Sequence, residues 1–238
     1  MKLASIVPVK DIQRTFDGQY AMMLAHLAKY YPKCQNPECY KIMDNSLVEL
    51  GDAVTIEDVW AAGMQCQADE IILPDVFLDG PRTIASVMES IDYLYQTGKI
   101  GTMRLMAVCQ GKNAEEFERC FRCLSRIPEI HCIGIPKVTT TLHPDGRPHF
   151  EYLWRNTSKA IHLLGCWTSL DECRKYKNPQ LIRSIDTCIP ALNSMYQDGK
   201  FGTWTDRPKT RTIDLINDKI DDSNYECILY NLKLEGLL

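Results

Sequence analysis

Glu70-Ile71-Ile72-Leu73-Pro74-Asp75, followed closely by Pro81–Tyr95, is the clearest unit in the chain. The first part is a short apolar run closed by a Pro-Asp turn signal and reads as a strand. The second reads as a helix, with Pro81 suited to its first turn. The same unit recurs on both sides. Downstream, Arg104–Val108 ends at Cys109-Gln110-Gly111 and leads to a helix over Ala114–Leu124, with Asn113 as its N-cap. His131–Ile135 ends at Pro136-Lys137, Ile161–Leu164 ends at Gly165, and Arg183–Ile185 ends at Asp186 before a short helix over Pro190–Tyr196. Upstream, Leu3–Val7 ends at Pro8, and Lys41–Met43 ends at Asp44-Asn45-Ser46. A helix is expected over Ile56–Gln67, with Thr55 as N-cap. Gln19–Tyr31 places Tyr20, Met23, Leu24, Leu27 and Tyr31 at helical spacing and reads as a helix.

Repeated βα units imply a parallel sheet, because parallel strands need long crossovers. An open doubly wound sheet and a closed barrel both fit. No Gly-x-Gly-x-x-Gly follows any strand, and no Walker loop is present. The polar residues Asp44, Asp75, Gln110, Lys137 and Asp186 all follow strand ends, which in a barrel form one rim. We therefore expect an α/β protein built as a (β/α)8 TIM-like barrel over residues 1–200, with an irregular last strand allowed. Residues 201–238 are expected to form a mostly helical C-terminal segment against it, with Thr210–Lys219 among its helical parts. Seven strands are placed this way. Phe201–Trp204 is a candidate for the eighth, and Tyr225–Leu232 is ambiguous between helix and strand.

The 238 residues carry 27 basic and 31 acidic side chains, a net charge of −4. That excludes a globally basic nucleic-acid binder but allows a local basic groove. No apolar run approaches the roughly 20 residues of a membrane helix, and the N-terminal run is too short for a signal peptide. A cytoplasmic protein is expected, in the host cytoplasm if phage-encoded. The 11 cysteines then read as buried thiols in a reducing compartment. Cys34/Cys39 and Cys120/Cys123 are too far apart in sequence, and too poor in accompanying histidine, for a structural zinc site.

A single Asp after a strand is usually a cap or a turn residue. Three on one rim suit chemistry at an anomeric carbon, where one carboxylate attacks and another moves a proton. His162 begins a strand; turned inward in a barrel it could assist the rim, but it reads first as a hydrogen-bonded core histidine. Thr139–Pro148 is a long loop, containing the turn signal Asp145-Gly146, on the same rim.

Five blocks occur in fixed order at strand ends: Asp44-Asn45-Ser46, Leu73-Pro74-Asp75, Val108-Cys109-Gln110-Gly111, His162-Leu163-Leu164-Gly165 and Ser184-Ile185-Asp186-Thr187-Cys188-Ile189-Pro190. This set, spread over residues 1–200, resembles the tRNA-guanine transglycosylases, and most closely their shorter bacteriophage relatives. Those relatives resemble DNA-guanine transglycosylases, which put 7-deazaguanine bases such as 7-cyano-7-deazaguanine into DNA. The resemblance implies a barrel and base exchange without an added cofactor. Asp186 would attack C1′ and Asp44 would act as general acid/base. Asp75 would accept the guanine-like N–H edge and Gln110 would bond its carbonyl, with Asn45, Ser46, Gly134, Ile135 and Gly165 around the base. The family's Gly-Gly after the general acid/base is missing here. The family's Cys-rich zinc subdomain also has no counterpart, since only Cys188 and Cys227, and no His, follow Asp186.

That departure favours DNA over tRNA as the nucleic-acid partner, with a 7-deazaguanine base as the other substrate. A partner protein or a homo-oligomer is left open. A polyanion needs a backbone grip. Lys137, Arg147, Arg155 and Lys159 form the first candidate, together with Arg174, Lys175 and Lys177. Lys200, Arg207, Lys209 and Arg211 form a second, and Trp154, Trp167 and Trp204 are candidates for stacking on bases. Three alternatives remain beside the DNA enzyme. They are a tRNA enzyme, a carboxylate-rich nucleoside or glycoside hydrolase or metal-dependent lyase, and a non-catalytic deazaguanine or nucleic-acid binding protein.

Overall fold

Eight parallel strands close on one another in sequence order: β1 Lys2–Ser5, β2 Tyr20–Leu24, β3 Tyr40–Asp44, β4 Glu70–Ile72, β5 Arg104–Val108, β6 Ile130–Pro136, β7 Ala160–Leu164 and β8 Ile182–Thr187. The computed structural model describes residues 1–16, 19–33, 36–166, 169–196 and 212–234. β8 closes the ring on β1, with Ala4 opposite Asp186. The helices are α1 Ile12–Phe16, α2 Leu47–Leu50, α3 Ile56–Gln65, α4 Gly80–Gln96, α5 Ala114–Leu124, α6 Glu151–Trp154, α7 Ile189–Tyr196 and α8 Asp222–Leu234. The fold is the expected (β/α)8 barrel.

The strands are buried on both faces, which is why they read as continuous apolar runs. One set of residues fills the barrel interior: Ala4, Met22, Ile42, Ile72, Met106, Val108 and Cys132. The alternate set, including Ala21, Met23, Met43, Ile71, Ala107 and Ile133, meets the helices outside. The helix caps follow the sequence. Thr55, Asp79 and Asn113 each accept a backbone N–H of the first turn of α3, α4 and α5.

The missing eighth strand is β2. The helix expected over Gln19–Tyr31 is instead this strand followed by a short 3₁₀ turn, Ala25–Tyr30. With Met22 directed into the barrel and Ala21 and Met23 directed outward, every position is apolar, so spacing cannot separate strand from helix. Phe201–Trp204 lies outside the described residues, and Tyr225–Leu232 lies within α8.

The last strand is irregular. Ile161 faces Ile182 but His162 faces Ser184, so Arg183 is skipped in the ladder. Its guanidinium enters the N-terminal end of the barrel, 2.7 Å from the fully buried Glu70, with the rings of Tyr20 and Tyr40 5.6 and 5.3 Å away. A carboxylate, a guanidinium and two aromatic faces thus plug that end.

In the C-terminal segment, α8 docks through Tyr225, Ile228 and Leu232, and the Tyr225 hydroxyl donates to Ser5 Oγ at 2.7 Å. Residues 212–221 are not helical. Asp214 accepts the backbone N–H groups of Ile216 and Asn217 and forms a turn, the usual competition of Asp with helical bonding.

Candidate active site

The C-terminal ends of the strands surround a cavity of about 380 Å³. Met22, Leu24, Val108 and Leu164 give it apolar walls, and Val48 and Phe77 stand on its lip, 63% and 54% exposed. Asp44, Glu49, Asp75, Gln110, Lys137 and Asp186 also line it, as do Thr140 and Thr141 of the loop after β6.

Asp186 sits inside the last strand. Its Oδ1 accepts the N–H of Gly165 at 3.0 Å and lies 3.0 Å from Nε2 of His162, which is fully buried. The other His162 nitrogen, Nδ1, is 2.7 Å from Ser184 Oγ. Arg183 Nε donates to that same hydroxyl oxygen at 3.2 Å. The Ser184 O–H is therefore available to His162 Nδ1, and the tautomer with Nε2–H toward Asp186 satisfies every group. A continuous, largely buried chain thus runs from Glu70 through Arg183, Ser184 and His162 to Asp186. It anchors one carboxylate oxygen, and Oδ2 has no protein hydrogen-bond partner among the described residues.

Asp75 is held through both oxygens, by Asn45 Nδ2 at 2.7 Å and Gln110 Nε2 at 2.6 Å. Burial pushes its carboxyl up to about 6, despite those two donors. Asp44 is raised well above the ordinary carboxylate range, first by burial and then by the charges of Glu49 and Asp186. Its Oδ2 accepts the Ser46 N–H at 3.0 Å. Glu49 is raised as well, by burial and by Asp186. The site therefore holds several carboxyls that disfavour simultaneous ionisation, which favours proton storage on Asp44.

Beneath the rim, Arg147 is fully buried. It donates to the carbonyls of Ile135, Leu164 and Gly165 and forms a two-pronged pair with Glu172, which also takes Lys137 Nζ at 2.6 Å and the Tyr176 hydroxyl at 2.8 Å. The arginine thereby ties β6 to β7 and fixes Gly165, whose φ is +64° and whose N–H holds Asp186.

Asp44, Asp75, Gln110, Lys137, Gly165 and Asp186 thus meet at one cavity, as the strand-end pattern implies. Of the other residues expected around the base, Asn45 is in the cavity wall, while Ser46, Gly134 and Ile135 are not. Asn45 lines the cavity, but its Nδ2 is spent on Leu73 O and Asp75 and its Oδ1 accepts the Leu47 N–H, so it positions Asp75. Ser46 is fully buried, with Oγ accepting the His26 N–H. Gly134 faces the filled barrel interior, where a Cβ would lie 2.7 Å from Leu164 Cδ1. Ile135 points into the outer core, and its carbonyl is taken by Arg147.

The first backbone grip is also corrected. Arg147 is sealed inside the protein. Arg155 and Lys159 precede β7 and so lie at the end of the barrel opposite the cavity, where Lys159 Nζ donates to Ile127 O. Only Lys137 of that set reaches the site. Lys200, Arg207, Lys209, Arg211, Trp167 and Trp204 lie outside the described residues, and Trp154 is core. His162 is hydrogen-bonded as expected, but to Asp186. Strand parity turns it inward, since His162 stands two residues before Leu164, as Ser184 does before Asp186. Glu49 was missed because nothing in its helix marks it. A shared metal at the three aspartates is not favoured, because their oxygens do not form a trio within 4.8 Å of one another among the described residues.

No family model matches the chain, and no curated protein matches it. What fold and cavity define is a class: a (β/α)8 barrel with a carboxylate-lined cavity at the C-terminal rim, where such barrels carry their active sites. Among the described residues, no helix is long and apolar enough to cross a membrane.

Proposed function

We propose that the chain is a guanine transglycosylase that exchanges guanine in nucleic acid, DNA in preference to tRNA, for a 7-deazaguanine base. The observation that carries this reading is the division of labour among the cavity carboxylates. Asp186 has one oxygen anchored, and the other has no hydrogen-bond partner among the described residues. Asp44 is pushed toward its protonated form by burial and by the charges of Glu49 and Asp186. Asp75 stands beside an amide, Gln110.

Enzymes acting on a base take it out of the stack, and an apolar-walled cavity is a fitting receptacle. The Asp75 oxygens retain lone pairs for the ring N–H and amino group of guanine, while the second Nε2 proton of Gln110 can donate to O6. The free oxygen of Asp186 then attacks C1′. The C1′–N9 bond breaks, its electron pair leaves with the purine, and Asp44 supplies the proton that neutralises the departing base. A C1′–O ester to Asp186 holds the sugar. The incoming deazaguanine attacks C1′ through N9, gives its N9 proton to Asp44, and releases Asp186 as carboxylate. The chain's own residues account for each proton and bond in this exchange.

Release of labelled guanine from DNA, with tRNA in parallel, on adding 7-cyano-7-deazaguanine tests the proposal. Loss from DNA is expected. Loss from tRNA alone reassigns the polymer. No loss from either shifts weight to the hydrolase or binding-protein readings.

A further inference from the structure

We propose that His143, Asp145 and His149 form a binding site for one transition-metal ion of the zinc type, on the loop that walls the cavity. One ligand atom from each of the three lies within 4.8 Å of the others. His143 Nδ1 and Asp145 Oδ2 are 3.6 Å apart, close to the roughly 3.3 Å between two ligands of a tetrahedral zinc ion. The imidazoles of His143 and His149 stack with centroids 3.4 Å apart. Two imidazoles and a carboxylate, with a place left for water, are a donor set that suits zinc, cobalt or nickel rather than magnesium or calcium.

The loop brings the ligands together on its own backbone. The Gly146 N–H donates to the His143 carbonyl at 2.9 Å, and the His149 N–H donates to the Gly146 carbonyl at 3.2 Å. Gly146 takes a φ of +69°, which glycine allows at little cost. The His149 ring is edge-on to Phe150 and Tyr152, so its orientation is restricted from behind. Asp145 is open, its side chain 77% exposed, which gives an ion a path in. The two cations of the loop, Lys137 and Arg147, are both turned onto Glu172, away from the ion. Binding requires the His143 ring to rotate out of its stack, because an ion must lie in the plane of each ligating imidazole. It also replaces the Asp145 N–H bond to His143 Nδ1.

Thr140 and Thr141, a few residues earlier in the same loop, line the cavity. A bound ion would therefore staple the wall of the site. This inference does not depend on the transglycosylase reading, and it differs in place and ligands from the Cys-rich site of the resembled family.

The test is titration of chelator-treated protein with Zn²⁺ by calorimetry and with Co²⁺ by visible absorption. It uses the wild-type chain, His143→Ala, His149→Ala and Asp145→Asn, with circular dichroism as a control for folding. One ion per chain is expected, with a tetrahedral Co²⁺ spectrum. Zn²⁺ should also raise the melting temperature of the wild type. Each histidine variant should lose about tenfold or more in affinity, and the zinc-dependent shift in melting with it. If His149→Ala disturbs the Phe150 contact, His143→Ala on the open face still decides. No binding, or equal binding by wild type and His143→Ala, overturns the proposal.

Discussion

At the N-terminal end of the barrel one buried carboxylate, Glu70, meets one guanidinium, Arg183, at 2.7 Å. At the C-terminal end three carboxylates, Asp44, Asp75 and Asp186, share a cavity, and the donors that hold them directly are neutral amides, backbone N–H groups and an imidazole. The difference separates a structural charge from a reactive one. A buried carboxylate paired with a guanidinium plugs the end of the barrel. Asp44 and Asp75, buried without one, resist ionisation, which suits proton transfer. The two ends are linked, because Arg183 orders Ser184, and Ser184 orders the histidine that fixes Asp186.

The sharpest way to break the comparison is to remove one key side chain from each end, the Asp186 carboxylate and the Arg183 guanidinium. Asp186→Ala should lower exchange more than about a thousandfold, the scale of losing a nucleophile, while leaving the fold intact. Unchanged exchange would remove Asp186 from the reaction. Arg183→Met should leave the buried Glu70 carboxyl without its partner and cost about 3–5 kcal/mol of stability, read by urea unfolding. Adding Glu70→Gln to that variant should recover most of the loss. If Arg183→Met is as stable as wild type, the plug is not what closes that end.

The link between the ends predicts a smaller effect. His162→Phe should lower kcat about ten- to a hundredfold with little change in KM, by freeing Asp186 to rotate. His162→Gln, which keeps an N–H donor, should recover part of it. A pure KM effect would instead place His162 in substrate binding.

The smallest effect is on pH. Asp75, pushed up to about 6, and Asp44, raised further than usual, bind protons in the folded state that the unfolded chain releases. Stability should therefore fall as pH rises from about 4 through 6, by at most about 3 kcal/mol for Asp75. Burial would raise Glu172 too, but Arg147 and Lys137 overcome it and hold that carboxyl at about 2. Its contribution is present above pH 4.5 and is lost as pH falls toward 2. Thermal melts should thus show stability rising on acidification from pH 7 to 5 and falling below about 4.5. A profile flat between pH 7 and 5 would contradict the account of Asp75.

The rim aspartates were legible because each follows an apolar run at a turn signal, and strand order alone carries such residues to one end of a barrel. Strand β2 was not, since a run buried on both faces has no periodicity to read. His162 and Arg147 needed more than spacing. The first depends on parity and on the register shift between β7 and β8, and the second on a loop folding back beneath the rim. Arg155 and Lys159 show the opposite error. Local charge was counted without asking which end of the barrel it occupies, although residues just before a strand stand at the far end from the site.

The most direct measurement is mass spectrometry of the chain after incubation with guanine-containing DNA and no incoming base, followed by nuclease digestion. The account predicts a deoxyribose-linked fragment on the peptide holding Asp186, absent in Asp186→Ala. Guanine release with no adduct at Asp186, or an adduct on another residue, would contradict it.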